Sequence, residues 1–345
     1  MIDGHGDDLY QYGEVRCNFS SNISPFIDTR LLRRHLASRM QLICHYPEPS
    51  AHSLEVLIAA EHHVRPAEVL VTSGATDAIY LIAQTLRSER TFAVERPTFS
   101  EYADACRIYG YEEPPAPCPV CCCITATQEP PAALRWLCNP NNPTGQVLSV
   151  DTVKALARRH RWLVIDQSYE DYTYSQPLAA REAIDMQNVI VIHSMTKRFA
   201  IPGLRLGYII APSPVVSRLR ASHRPWAVNA LAIEAGRWLL THKNPNEHLI
   251  MQALLRQTRV LANRLRRISG IHVYPTETTY MLCSIQQGSA AQLKDYLLTR
   301  HRLLIRDASN FEGLNDSHFR IAAQQSQFND ELAEAIAEYA DKVKD

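Results

Sequence analysis

The chain has no excess of either charge. Its 36 Lys and Arg balance 36 Asp and Glu over 345 residues. That removes the electrostatic footprint needed to hold nucleic acid or an anionic membrane surface, and leaves a small molecule as the expected partner. No apolar run approaches the length that spans a bilayer, and Met1-Ile-Asp-Gly-His-Gly-Asp-Asp8 lacks the basic and apolar regions of a signal peptide. A cytoplasmic location is therefore expected. A disulfide framework is missing too: nine cysteines is an odd number without framework spacing, which points to a reducing compartment. Cys118-Pro-Val-Cys121-Cys122-Cys123 contains one CxxC and no second cluster, so a buried strand running into Ile124 is preferred to zinc, and no metal is expected. There is no internal repeat or low-complexity segment. Glu112 to Pro119, dense in proline, reads as an extended surface loop.

With 46% hydrophobic and 21% charged residues, the chain can bury a large core divided between two domains. Strand-like runs alternate with helical patterns between about residues 50 and 215: Glu68–Thr72, Thr91–Val94, Leu134–Cys138, Trp162–Ile165, Val189–His193 and Leu206–Ile210. Such alternation predicts an α/β fold with a mainly parallel sheet covered by helices. From Asn229 the pattern changes to a long helical segment through Arg256–Arg266. Strand candidates follow at Ile271–Tyr274, Tyr280–Cys283 and Leu303–Ile305, then a terminal helix from Asp330. A smaller α+β C-terminal domain is expected, giving an arm at 1–28, a large domain at 29–228 and a small domain at 229–345.

The chemically distinctive residues fall where the predicted strands end. Lys197, in Ser194-Met-Thr196-Lys197, follows an apolar strand, and Arg205 comes eight residues later. An open α/β sheet places ligands at such ends, and a lysine there can form a Schiff base with an aldehyde. Thr72-Ser-Gly74-Ala75-Thr76-Asp77 opens an apolar helix in a way that suits a phosphate, although taken alone it reads better as a plain N-cap. Phe99, in Arg96-Pro-Thr-Phe99-Ser-Glu-Tyr102, offers a ring to stack on a heteroaromatic; by itself it would read as core. Asn139-Pro-Asn-Asn142-Pro-Thr-Gly145 is a rigid turn with amide donors. Asp166 emerges from an apolar strand with Tyr169 three residues on, and a carboxylate placed so can keep a pyridine nitrogen protonated.

Together these motifs resemble the fold type I pyridoxal phosphate enzymes of the class I/II aminotransferase superfamily, over most of the chain. The resemblance implies an aminotransferase-like large domain and pyridoxal 5'-phosphate as cofactor. Lys197 would carry it as the internal aldimine, Asp166 would pair with the ring nitrogen, Asn142 and Tyr169 would bond the ring 3-hydroxyl, and Phe99 would stack. Gly74, Ala75, Thr76, Ser194, Thr196 and Arg205 would surround the phosphate. Tyr46, in His45-Tyr-Pro-Glu48, matches a tyrosine that family members extend to the partner subunit's cofactor, which implies a homodimer with shared sites.

Two groups in the superfamily are similar to this chain: threonine-phosphate decarboxylases of cobalamin synthesis and histidinol-phosphate aminotransferases. Asn18-Phe-Ser-Ser-Asn22-Ile-Ser-Pro25, Ala200–Tyr208, Pro225–Leu231 and Leu304-Ile-Arg306 with Asn310–Leu314 favour the decarboxylases. Arg320 matches the arginine that grips the substrate carboxylate. Arg306, Asn22 and His5 are further candidates for substrate contact. In either group the substrate, a phosphorylated amino acid or amine, would react through an external aldimine. The bond held perpendicular to the ring would decide between loss of carbon dioxide and transamination to 2-oxoglutarate. A non-catalytic ligand sensor on the same fold is the remote alternative. Two departures from the decarboxylase pattern concern charge: His5-Gly-Asp7-Asp8 stands where His-Gly-Gly-Asn is expected, placing carboxylates that would repel a phosphate, and Gln324 replaces a second arginine.

Overall fold

The computed structural model describes residues 8–114 and 132–343. The cysteine cluster at 118–123 and the end of the proline-dense stretch lie outside them. Among the described residues the strands are, in chain order, β1 (Cys17–Asn18), β2 (Val69–Thr72), β3 (Phe92–Val94), β4 (Leu134–Cys138), β5 (Trp162–Asp166), β6 (Val189–Ser194), β7 (Gly207–Ile210), β8 (Ile271–Val273), β9 (Tyr280–Ile285), β10 (Leu303–Leu304), β11 (Arg306–Asp307) and β12 (His318–Ala322).

Strands β2 to β7 form one sheet in the order β2-β7-β6-β5-β4-β3, and of these β7 alone runs against its neighbours. The apolar runs lack polar alternation because both faces are covered. In β6, Ile190 and Ile192 pack beneath the helices Ala75–Thr85, Glu101–Ile108 and Ser213–Ser222. Val189 and Val191 face the helices Val150–Arg159 and Ala180–Asp185 on the other side. Since β2, β3, β4, β5 and β6 point the same way, the segments that follow each of them emerge along one sheet edge. Arg205, just before the reversed β7, reaches the same edge.

A second, antiparallel sheet has the order β11-β12-β9-β8 and shares an apolar core with the helices Glu247–Leu265 and Ser326–Lys342. The segment near the N-terminus joins this part of the molecule, because β1 pairs in parallel with β10. Several expectations are revised here. Leu303–Ile305 is not one strand: Leu303 and Leu304 pair with β1, whereas Arg306 and Asp307 pair with β12. Neither β1 nor β12 shows in the hydropathy pattern, since a two-residue strand has no period and β12 carries a charged residue at its centre. The last helix begins at Ser326, four residues before the expected Asp330, and the long helix runs Glu247–Leu265. No helix among the described residues is long and apolar enough to cross a membrane.

Gly207 opens β7 where it passes between β2 and β6. A Cβ there would lie 2.8 Å from Ala75 N and Gly74 C and 2.9 Å from His193 O. All three are backbone atoms that cannot swing aside, so a residue without a side chain lets the turn after β2 close against the sheet. Gly207→Ala is expected to lower stability by about 1–3 kcal/mol. Gly203→Ala, where an added Cβ meets nothing within 4 Å, should stay within about 0.5 kcal/mol of wild type. Urea unfolding of both variants checks the pair.

Candidate active site

A cleft of about 350 Å³ opens along the sheet edge described above. At one end lies the start of the helix Ala75–Thr85, with Ala75 and Thr76 in the wall. Its N-cap, Gly74, has φ 86°, and a Cβ on it would sit 2.7 Å from Nη2 of Arg205. Glycine is required there both for the backbone angle and for the approach of the guanidinium. Arg205 itself adopts a left-handed conformation, φ 55°, and its Nη1 donates to the Pro202 carbonyl at 3.2 Å. Ser194 and Thr196 add hydroxyls to the same cleft. An eleven-residue helix whose first N–H groups face a fixed cation and hydroxyls is a cradle for a phosphate.

The middle of the cleft is built around Asp166, the last residue of β5, which is only 4% exposed. Its Oδ1 accepts from the Ser168 backbone N–H at 2.9 Å, and its Oδ2 accepts from the Tyr102 hydroxyl at 2.7 Å. Burial pushes this carboxyl above the usual carboxylate range, against the pull of the hydrogen bonds from Ser168 and Tyr102. A carboxylate in that condition favours a cationic partner such as a protonated ring nitrogen. Tyr169 lies beside it with a phenol that burial pushes up to about 12, so it stays protonated and able to donate. Asn142, in the turn after β4, gives its amide oxygen to Arg320 Nη1, which leaves its NH2 to donate elsewhere. Phe99 stands edge-on to Tyr102, centroids 5.7 Å apart.

Lys197 lies on the single turn Met195–Arg198 directly after β6 and lines the cleft. Its carbonyl accepts from the Tyr172 hydroxyl at 2.7 Å, and that hydroxyl accepts in turn from Ser24 N at 3.2 Å. The next residue, Arg198, donates to Glu247 at 3.0 Å, tying the turn to the long helix. The residues fit pyridoxal phosphate: a phosphate cradle that a Cβ at position 74 would fill, a buried acid for the ring nitrogen, donors for a ring hydroxyl, and an amine.

Opposite these, Ser20, Ser21 and Asn22 from the N-terminal segment and Arg320 from β12 close the cleft. Arg320 Nη2 donates to the Ser20 carbonyl at 2.5 Å, while its Nε has no partner. Asn22 is likewise buried, and its amide lies beside the Tyr169 phenol without a hydrogen bond of good geometry. Arg306 sits directly across the antiparallel register from Arg320, so the two guanidinium-bearing side chains share a sheet face. Burial, and then the nearby Arg320, push Arg306 down to about 10. Buried like charges and unpaired polar atoms at one spot suit an anionic, hydrogen-bonding substrate.

The structure thus gathers Ala75, Thr76, Phe99, Asn142, Asp166, Tyr169, Ser194, Thr196, Lys197, Arg205, Asn22 and Arg320, with Gly74 behind them. It keeps Arg306 beside the cleft and not in its wall. Tyr46 is 85% exposed and packs on Trp226; His5 and Asp7 lie outside the described residues. The repulsion anticipated from Asp8 does not arise in that form, because its Oδ2 binds Lys294 Nζ at 2.7 Å and the Tyr12 hydroxyl at 3.0 Å. Gln324 is turned inward, its Nε2 donating to the Ala322 carbonyl at 3.4 Å. Tyr102 and Tyr172 were missed by the sequence reading. Each follows a recognised aromatic residue by three positions.

Residues 17–336 match the family model for aminotransferase class I and II. The chain is 29% identical over 330 residues to a threonine-phosphate decarboxylase of Salmonella typhimurium, covering 92% of this chain and 90% of that protein. It is 28% identical over 305 residues to a histidinol-phosphate aminotransferase of a Thermoanaerobacter species, covering 85% and 84%. Among solved structures, an L-threonine-O-3-phosphate decarboxylase from Porphyromonas gingivalis superposes with a TM-score of 0.86 at 36% identity, over 94% of this chain and 99% of that one. A histidinol-phosphate aminotransferase from Clostridium acetobutylicum shares the fold, TM-score 0.82 at 22% identity, over 94% and 99%.

The Asp8–Lys294 pair gives a measurable signature. Burial alone would raise the Asp8 carboxyl, but Lys294 and Tyr12 outweigh it and hold it below the ordinary value of 3.8. A depressed carboxyl stabilises the fold above its unfolded pKa, and that contribution is lost as the pH falls through the folded value. Asp8→Asn should therefore cost about 1–2 kcal/mol at neutral pH. In urea titrations the difference from wild type should close as the pH falls below about 4. A difference still fully open in acid would mean that shape, not charge, holds the segment.

Proposed function

The chain belongs to the class I and II aminotransferase family, and from that premise we propose that it is a threonine-phosphate decarboxylase-like enzyme of cobalamin synthesis, working as a cytoplasmic homodimer. Its cofactor, pyridoxal 5'-phosphate, supplies when bound an electron sink for the bond broken at the substrate's α-carbon. Arg205, Thr76, Ser194, Thr196 and the helix N-terminus at Gly74 and Ala75 hold the phosphate. Asp166 holds a proton at the ring nitrogen, Tyr169 and Asn142 donate to the ring hydroxyl, and Phe99 packs on the ring face. Lys197 Nζ would hold the cofactor covalently until the substrate amine displaces it, and the freed amine would then be the group that hands a proton to the α-carbon; its turn is fixed by Tyr172 and by the Arg198–Glu247 pair.

The single observation that carries the substrate reading is the facing of Arg306 and Arg320 across β11 and β12. Threonine phosphate brings a carboxylate and a phosphate close together, one for each guanidinium. Arg320, fixed by Asn142 and Ser20, holds the carboxylate; Arg306 and Asn22 meet the phosphate end, and His5, outside the described residues, is a further candidate for that contact. Clamping the carboxylate in one orientation is what selects its bond for cleavage and excludes the α-hydrogen. The second reading, an aminotransferase of histidinol-phosphate type, has support in the same pair, because the two carboxylates of 2-oxoglutarate also suit two arginines. The exposed Tyr46 beside Trp226 supports a homodimer in which it reaches the partner's cofactor. The proposed division is an arm at 1–28, a large domain at 29–228 and a small domain at 229–345, with β1 lending the arm to the small domain.

Cofactor-loaded protein should release carbon dioxide and aminopropanol phosphate from threonine phosphate. Glutamate formed from histidinol phosphate and 2-oxoglutarate, without carbon dioxide, would overturn the decarboxylase reading in favour of the second. Lys197→Ala should lose the visible band of protein-bound cofactor, and a retained band would sink the assignment of Lys197.

A further inference from the structure

The Tyr102 hydroxyl is buried in the wall of the cleft, and neither the family match nor the sequence motifs assign it a part. Its residue is 1% exposed. It donates to Asp166 Oδ2 at 2.7 Å, while the other carboxylate oxygen is taken by the Ser168 backbone. The ring is clamped from behind by Trp136, stacked at 5.4 Å with 17° between planes, and Trp136 is itself fixed by its Nε1–H to Cys106 Sγ at 3.1 Å. In front, the ring meets Phe99 nearly at right angles, 80°. One side chain therefore touches both the acid assigned to the cofactor's ring nitrogen and the aromatic assigned to its face.

The placement matters because a proton between a buried carboxylate and a pyridine nitrogen goes to whichever is the more basic. Burial makes the carboxylate more basic. A hydrogen bond donated into it makes it less so, and a donor to a charged acceptor is worth more than one between neutral groups. Tyr102 cannot give up its own proton instead, since burial and the adjacent Asp166 hold its phenol well above the ordinary range.

We propose that Tyr102 is a positioning residue for the reaction, its hydroxyl keeping Asp166 aimed and ionised and its ring setting Phe99, so that the cofactor's ring nitrogen retains the proton. The proposal rests on the cofactor reading given above. No bond is made or broken at Tyr102. It biases where one proton resides, and through that how well the ring accepts electrons.

The test uses holoenzyme loaded with pyridoxal phosphate labelled with nitrogen-15 in the ring. Loading and the visible band are confirmed first on wild type; failure there would refute the cofactor reading and not this one. In wild type the ring-nitrogen signal should be that of a protonated pyridine from pH 6 to 9. Tyr102→Phe removes one oxygen and almost no volume, so thermal unfolding should show it folded. Its nitrogen signal should move toward neutral pyridine, and kcat should fall roughly 10- to 100-fold with KM changed by less than about twofold, the size expected for one charged hydrogen bond. Trp136→Phe, which loosens the stack and keeps the hydroxyl, should lower stability and leave the nitrogen signal in place. An unchanged signal in Tyr102→Phe, or an equal displacement in Trp136→Phe, would overturn the proposal.

Discussion

A carboxylate buried at the end of a central parallel strand is the constraint on which the site depends. Asp166 is held by a backbone N–H and a phenol, yet burial still pushes its carboxyl up. Left alone, such a group gives up its charge or costs stability. The fold meets the problem by placing β5 between β4 and β6, so that the turn bearing Asn142 and the turn bearing Lys197 flank the acid. The same parallel arrangement that delivers them also aligns the helix after β2 with its N-terminus toward the cleft. One sheet order thus sets an anion cradle at one end and a proton-holding acid in the middle of a space sized for a small heteroaromatic.

Lys197 must be both reactive and fixed, and the structure separates those demands between side chain and backbone. The side chain lines the cleft, while the backbone is held through Tyr172 on one side and Arg198 on the other. Tyr172 also binds Ser24, four residues from the Ser20 carbonyl that restrains Arg320. Segment 20–24 therefore touches Arg320 and, through Tyr172, the lysine turn together. A shift of that segment would reach both.

Much of this was legible in the sequence because the large sheet is regular. Its strands are uniform apolar runs, and the chemistry follows each within a few residues, so ordering the strands was nearly enough to order the site. The second sheet was less legible. β12 has Arg320 at its centre, and an arginine inside a strand obscures the hydrophobic signal that marks one. β1 exists only because β10 is there to pair with it. Tyr102 was passed over for a different reason: on a helix beside Phe99 it looks like ordinary core, and only the tertiary approach of β5 turns its hydroxyl toward a carboxylate.

Charge is where linear reading went furthest from the folded molecule. Asp8 looked like an anion set against the substrate's phosphate, and Gln324 like a lost cation. In the fold Asp8 is an internal partner of Lys294 and Tyr12, and Gln324 turns away from the cleft to bond its own strand. Neither therefore offers its charge, or the lack of one, directly to a ligand. The guanidinium of Arg320 lines the cleft with Arg306 beside it, and their pairing across one register makes them more than two separate cations. Each raises the free energy of the other in a poorly hydrated place, so an anion that meets both relieves a repulsion as well as gaining two contacts. A substrate with one negative group satisfies half of that arrangement. On the proposed substrate reading, selectivity for a doubly anionic substrate follows from the strand pairing itself, which no single residue in the sequence discloses.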